Sequence, residues 1–350
     1  MKKITLYIIG MLLGTFTLFT GCDEVHEWPV EPETVPFDLR LDFRLDITAW
    51  DYYYNINTPR AVSNTYDMRY VLRAYPISPD GTVSSDYRKE FIFTKPNTTL
   101  GDDYSHQTQL DLPEGKYRLM VWVDFVETGT VGPTFYNCEK FNSIVLHGSH
   151  KANTDYRDAF AGTTDVVLES TIQEGVEIVN AEISLKRPFA KYTFISNDLQ
   201  EFLSREASRL SRNENGSGED AGSRVVELDD YKVVVYYPMY MPNTYNLFTD
   251  KAVNSATGVK YTSKPIRLSE DEVMLGFDYV VINDDPDAKV TVSIGLFDKE
   301  GTQVAMSESF NVPLQRSVNT IVRGKFMTVE TGGGISIDPS FNGDHNIVLP

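Results

Sequence analysis

The segment Phe37-Asp-Leu-Arg-Leu-Asp-Phe-Arg-Leu-Asp-Ile47 alternates apolar and charged residues without a break. Successive side chains of a β-strand point to opposite faces, so this period of two predicts a strand with one buried and one solvated face. A shift of one residue would turn the whole apolar set outward, so the pairing register should be firmly set. The apolar set is Phe37, Leu39, Leu41, Phe43, Leu45 and Ile47.

Strand patterns recur along the rest of the chain, separated by turns rich in Pro, Gly, Asn and Asp. Strands are predicted at 69–75, 88–94, 108–112, 117–125, 165–169, 176–185, 190–195, 231–237, 277–283, 289–297, 303–310 and 320–328. One helix is predicted from Asp198 to about Arg212, with Asp198 as its cap and Glu201 three residues on. Many strands and few helices favour an all-β chain of β-sandwiches, with a boundary near Lys186-Arg187-Pro188.

Residues 1–21 form the pattern of an export signal, with Lys2 and Lys3 ahead of a short apolar run. The run ends in small residues followed by Cys22, which resembles the bacterial lipobox. Cys22 is therefore the predicted lipidation site, carrying palmitate-like acyl chains that anchor the protein to the outer membrane, exposed on the cell surface. The alternative is an ordinary secretory signal followed by an unmodified cysteine.

An acidic segment comes directly after that cysteine and is predicted to be a tether, residues 22–36. It has five acids and no bases between Asp23 and Glu33, and prolines at 29, 32 and 36. Such a composition buries too little apolar surface to fold. The tether is either a plain spacer or, by its similarity to the acidic tracts of Bacteroidetes lipoproteins, a signal for surface export.

The charge of the chain excludes some partners. The formal net charge of the 350 residues is −18, which becomes −20 once Lys2 and Lys3 leave with the signal. This argues against nucleic acid and against adsorption to anionic lipid. The only other cysteine, Cys138, then has no disulfide partner, and its aromatic surroundings favour a buried, inert thiol over a catalytic one.

The search for catalytic or metal-binding residues gives weak candidates only. His147 and His150 lie three residues apart but have no evident third ligand. The acids at 284, 285 and 287 do not have the spacing of a calcium loop and favour a turn. No nucleophile–base motif is evident, so we expect no enzyme activity, no cofactor and no metal.

Three features together resemble the fimbrillin-like lipoproteins of Bacteroidales, which form fimbriae (type V pili). These features are the lipobox at Cys22, the two-part β-rich body and the stretch Asn319-Thr-Ile-Val-Arg-Gly-Lys-Phe-Met-Thr328 leading to Ile337-Asp-Pro-Ser-Phe341. The segment Arg187-Pro-Phe-Ala-Lys-Tyr192 also fits the start of a second domain. The resemblance implies two tandem transthyretin-like β-sandwich domains, at residues 37–186 and 187–350, with the helix inserted in the second.

The resemblance also implies a mode of assembly. Polymerising subunits of this family lose an N-terminal strand by cleavage after an arginine, and a strand of the next subunit fills the groove. In this chain the removable strand would be Phe37–Ile47 and the candidate cut site Arg60. The alternative is that Arg60 is an ordinary loop arginine, in which case the lipid stays and the protein is an anchor or a stand-alone surface lipoprotein.

Two functions follow from this reasoning. The first is a structural subunit or membrane anchor of surface fimbriae, whose partners are other fimbrial subunits bound by strand exchange. The second is a surface lipoprotein that binds a glycan or a host ligand through tyrosine-rich sandwich edges. Tyr52–Tyr54 and Tyr240 are the residues to test for the second, although tyrosines in sandwiches more often pack in the core or an interface.

Overall fold

The computed structural model of the protein describes residues 33–43, 65–96, 105–169, 178–214, 226–329 and 346–348. Strands dominate these residues, and the one α-helix among them is α1, Leu199–Glu214. The expected all-β class with one helix is confirmed. In the described part of the chain, no helix has both the length and the apolar character needed to cross a membrane.

Strands are numbered β1 to β21 in chain order. The first sandwich packs a sheet of three strands on a sheet of four. The smaller sheet has the order β4-β1-β9, formed by β1 (Thr34–Asp42), β4 (Ser105–Pro113) and β9 (Val179–Ser184). The larger sheet has the order β3-β2-β5-β8, formed by β2 (Tyr66–Pro76), β3 (Lys89–Pro96), β5 (Gly115–Glu127) and β8 (Phe160–Leu168).

The second half of the chain contains two five-stranded sheets. One has the order β15-β16-β10-β20-β21, formed by β10 (Phe189–Ser196), β15 (Ile266–Arg267), β16 (Val273–Val281), β20 (Asn319–Gly324) and β21 (Asn346–Val348). The other has the order β14-β11-β17-β18, and β19 also pairs with β17. It is formed by β11 (Lys232–Tyr237), β14 (Val259–Ser263), β17 (Lys289–Phe297), β18 (Gln303–Met306) and β19 (Phe310–Pro313).

A further sheet joins the two halves. It has the order β13-β12-β7-β6, formed by β6 (Tyr136–Asn137), β7 (Ile144–Leu146), β12 (Met241–Asn246) and β13 (Lys251–Ala256). Tyr136 and Tyr245 of this sheet pack their rings against Trp122 of β5. Strands from both sides of the predicted boundary at residue 187 therefore share one sheet, although one buried apolar cluster includes Phe189 and the other includes Ala190. The division into domains remains a prediction.

Strand β1 is shifted relative to the predicted segment. It begins at Thr34, so the last three residues of the predicted tether belong to the strand. Pro36 is tolerated there because β9 pairs with β1 only from Phe37 onward, which leaves the proline with one neighbouring strand. The strand ends at Asp42; Phe43 continues the buried face, and Leu45 and Ile47 lie outside the described residues.

Asp198 directly precedes α1, as the predicted cap position requires, and its backbone carbonyl accepts from the N–H of Phe202 at 2.9 Å. Its carboxylate Oδ2 accepts from the backbone N–H of Thr328 at 2.8 Å. The carboxylate of Asp271 takes the capping role, accepting from the N–H of Gln200 at 3.0 Å. Glu201 pairs with Lys325 instead of turning back to the start of the helix. Contacts with distant residues thus replace the local capping box.

Candidate functional site

Strand β1 is the central strand of its sheet and has a neighbour along each edge. All nine of its residues pair antiparallel with β4, and the residues from Phe37 to Asp42 pair parallel with β9. If β1 left, the facing edges of β4 and β9 would both lose their hydrogen-bond partners. The position of β1 is therefore a slot that an extended segment must fill.

The inward face of β1 is fully buried. Phe37, Leu39, Leu41 and Phe43 are each at most 1 % exposed. Burying four such side chains contributes on the order of 6–12 kcal/mol before any entropic cost. Loss of β1 would expose the apolar core that these side chains contact.

Aromatic rings surround the Phe43 end of the slot. Phe43 meets the rings of Phe160 and Tyr70 edge-on, with centroids 5.1 and 6.4 Å away. Tyr70 in turn stacks on Phe93 at 4.9 Å. These contacts favour an aromatic side chain at this end of any strand that occupies the slot.

The chain after β9 closes the same end. Leu185 donates its N–H to the carbonyl of Asp42 at 2.7 Å, and Lys186 forms a bridge with Ala161 of β8. Gly162 makes this approach feasible, because a Cβ there would lie 2.6 Å from both Ile183 Cγ2 and the carbonyl oxygen of Ser184. A glycine in a strand often marks such a close approach of backbones.

His106 of β4 is paired with Leu41 and lies 8 % exposed on the apolar side of the sheet. Its Nδ1 lies 2.8 Å from Lys95 Nζ, and its ring packs against Tyr70 and Phe93. Burial, with a smaller effect of the Lys95 charge, lowers the pKa of His106 to about 4. The histidine is therefore neutral at physiological pH, which keeps this part of the slot uncharged.

The other face of β1 is polar. Asp38 is exposed and Arg40 is half-buried. The predicted alternation of buried and solvated residues is thus observed from Phe37 to Leu41, whereas Asp42 is buried at 8 % exposure.

A buried ionic cluster connects the two halves of the chain. Asp278 of β16 is buried and pairs with Arg157 and with His150 Nε2, the latter at 2.6 Å. The hydroxyl of Tyr237 also donates to Asp278 at 2.6 Å. Burial alone would raise the pKa of Asp278, but Arg157, His150 and Tyr237 lower it below the usual value of an aspartate. We call His150, Arg157, Tyr237 and Asp278 the junction cluster.

The junction cluster gives His150 a structural role. Among the described residues, no group of three or more His, Cys, Asp or Glu side chains is placed to hold a metal ion. Asp285 accepts from the N–H of Asp287 at 2.9 Å, as in a polar turn.

The remaining candidates divide between described and undescribed residues. Cys22, Arg60 and Tyr52–Tyr54 lie outside the described residues. Cys138 is 6 % exposed, and burial raises the pKa of its thiol to about 11, which agrees with an inert thiol. Tyr240 is 70 % exposed.

Sequence reasoning did not predict that Tyr192, Tyr237 and Tyr261 lie close together in the second core. Tyr192 and Tyr237 share a hydrogen bond between their hydroxyl groups. Their only sequence signal is their position in apolar strand segments.

A family model described as "Family of unknown function (DUF6562)" matches residues 32–350. The chain matches none of the curated proteins. Among solved structures, it is similar to the fimbrial anchor protein Mfa2 from Porphyromonas gingivalis, with 12 % identity, a TM-score of 0.42 and coverage of 90 % of this chain and 95 % of that one.

A fimbrial assembly protein from Parabacteroides distasonis is also similar, with 12 % identity, a TM-score of 0.40 and coverage of 85 % of this chain and 93 % of that one.

Proposed function

We propose that this chain, which belongs to the family described as DUF6562, is a structural subunit or membrane anchor of surface fimbriae that assembles with its neighbours by β-strand exchange, with β1 as the strand that a polymerising subunit gives up. The observation that carries the proposal is the place of β1, which is paired along both edges and buries four alternating apolar side chains. The resemblance of the sequence to fimbrillin-like lipoproteins supports the same role.

The physical basis of exchange is β-augmentation. Main-chain hydrogen bonds to β4 and β9 would supply affinity for any extended segment, and the buried positions at 37, 39, 41 and 43 would select its side chains. An incoming strand with apolar residues at every second position would restore what β1 provides. The sandwich would therefore have all its strands both before and after the exchange.

Cleavage at Arg60 would not by itself release β1. Arg60 follows β1 and precedes β2 in the sequence, so a cut there breaks the covalent link between these strands. The four buried side chains and both ladders would still hold β1 in place. Release would then need a competing strand, which couples the loss of β1 to assembly.

The lipid at Cys22 would determine which role the chain has. A chain that keeps residues 22–60 stays attached to the outer membrane through its acyl chains and acts as an anchor. A chain cut after Arg60 would give up both the lipid and β1 once a strand of a neighbouring subunit takes the place of β1, and would then enter the polymer. No catalytic step is part of either role.

The first test is mass-spectrometric mapping of the N-terminus in protein isolated from native outer membranes and from sheared fimbriae. A chain in the fimbriae that begins at Ala61 indicates a cleaved subunit. A chain in the membranes that begins at acylated Cys22 indicates an anchor. An N-terminus at an unmodified Cys22, in protein released into the medium, would contradict the proposal.

A second candidate function is ligand binding through exposed tyrosines. The observation in its favour is the turn between β11 and β12, where Tyr240 is 70 % and Met239 is 55 % exposed. Tyr237, by contrast, is buried in the junction cluster and cannot form part of a binding surface. If this turn binds a glycan or a host ligand, Tyr240→Ala will abolish binding without changing the unfolding midpoint.

A further inference from the structure

The outer face of the sheet β4-β1-β9 carries a polar cleft with a volume of about 450 Å³. Leu39 lies at its centre and is in register with Thr108 of β4 and Ala181 of β9. These three residues form one row across the sheet. The side chain of Leu39 points to the core, so the backbone of this row forms the floor of the cleft. Because side chains alternate along a strand, the side chains of the next row on each side point outward and form the two walls of the cleft.

Each wall has one residue from each strand, and five of the six wall residues are exposed, with Arg40 half-buried. The rows lie two residues apart, which corresponds to roughly 6.6–6.8 Å along the strands. The first wall consists of Gln109, Asp38 and Asn180, and the second of Gln107, Arg40 and Glu182.

The chemistry of the walls selects a ligand class. Three carboxamides, two carboxylates and one guanidinium offer both donors and acceptors in planar groups. An apolar ligand would desolvate these groups without compensation. An anion would face the excess of one carboxylate in the walls and the net charge of −18 of the chain.

We propose that this cleft binds a neutral saccharide, one hexose unit of a glycan. Adjacent hydroxyl groups of a sugar can donate to Asp38 or Glu182 and accept from the carboxamides or Arg40. Neutral molecules with several hydroxyl groups can pair with both the donors and the acceptors of the walls without bringing a net charge.

The site depends on β1 because Asp38 and Arg40 supply the central position of each wall. A ligand that touches all three strands would stabilise β1 between β4 and β9 by mass action. Binding needs no strand exchange, so this inference goes beyond the proposed fimbrial role and does not rest on it.

The test uses the chain from Cys22 onward, which contains β1, on a slide printed with mannan, maltoheptaose and galactan. Sialyllactose is the anionic comparison. The variant Gln107→Ala/Glu182→Ala alters one residue of β4 and one of β9 and leaves β1 unchanged. Asp111→Ala, an exposed position of β4 beyond the walls, is the matched control.

We expect binding to at least one neutral glycan, weakened about tenfold or more in the double variant, as expected for losing hydrogen bonds that involve a charged group. The Asp111→Ala control should bind like the unaltered chain. Absence of binding to all three neutral glycans, a preference for sialyllactose, or equal binding by the double variant would overturn the inference. Assembly without glycan binding would overturn this inference alone, and glycan binding without assembly would overturn the fimbrial role alone.

Discussion

At the residue scale, single side chains decide how tightly the slot closes around β1. Gly162 leaves room for the end of β9, and His106 fills an apolar position without carrying charge. A substitution can test the missing side chain of Gly162 and the titratable ring of His106 separately. Each gives its own prediction.

Gly162→Ala should lower the free energy of unfolding by about 1–3 kcal/mol, because the added methyl would overlap Ile183 and the backbone of Ser184. Gly132→Ala is the control, since a Cβ at Gly132 would meet nothing within 4 Å. Urea unfolding of both variants measures the difference. Equal effects of the two substitutions would show that β9 does not approach β8 as described.

The stability of the protein should fall as the pH is lowered from 6.5 to about 4. The pKa of His106 is lowered from 6.5 to about 4, so in this window the unfolded chain binds a proton that the folded chain does not. His106→Leu should flatten the dependence of the urea midpoint on pH in this window. An identical slope in His106→Leu would exclude His106 as its origin.

At the element scale, β1 has a structural role, and the proposed exchange would replace it. Its inward side chains make it part of the core, and its two ladders could be made by any extended chain. The energy that holds β1 is thus the same energy that would bind a partner strand.

Leu39→Ala should lower the free energy of unfolding by about 2–5 kcal/mol, the usual cost of a cavity in a packed core. Asp38→Ala, on the solvated face of the same strand, should change it by no more than about 0.5 kcal/mol. Denaturant unfolding compares the two. A small effect of Leu39→Ala would mean that β1 is not part of the core.

A strand could be predicted from the sequence when a regular pattern within its own residues specifies it. The alternation from Phe37 to Phe43 is a local signal, and strand β17 matches its predicted bounds of 289–297 because its pattern is equally regular. Strand β12 was missed because Pro242 and Asn243 obscure any alternation, and its register with the neighbouring strand β13 shifts at Pro242 and Thr244. Such irregular pairing leaves no regular pattern in the sequence.

The candidate site divides in the same way. The inward set of β1 could be predicted from the sequence because it is a property of one strand. The saccharide cleft could not, because its walls combine three strands whose register is set only in the folded sheet. The junction cluster was missed for the same reason, since Arg157 and Asp278 are 121 residues apart.

At the scale of the whole molecule, the junction cluster and the shared sheet β13-β12-β7-β6 hold the two halves together. Asp278→Asn should lower the free energy of unfolding by about 3–5 kcal/mol, because it leaves the buried Arg157 without its counter-charge. Asp165→Asn, which removes the exposed pair with Arg118, should cost at most about 1 kcal/mol. Calorimetry of both variants would contradict the account if their effects were alike.

Replacement of β1 is the central claim, and a disulfide that locks this strand tests it most directly. Asp38 and Gln109 face each other on the solvated side of β1 and β4, so Asp38→Cys/Gln109→Cys would tie the two strands together. Arg118→Cys/Asp165→Cys places the same cross-link between β5 and β8 and is the control. The readout is the ladder of polymers on an unheated gel of sheared surface material, with and without reductant. The account predicts that the β1 lock abolishes the ladder until reductant is added, whereas the control lock leaves it intact. A full ladder from the locked protein in the absence of reductant would contradict it.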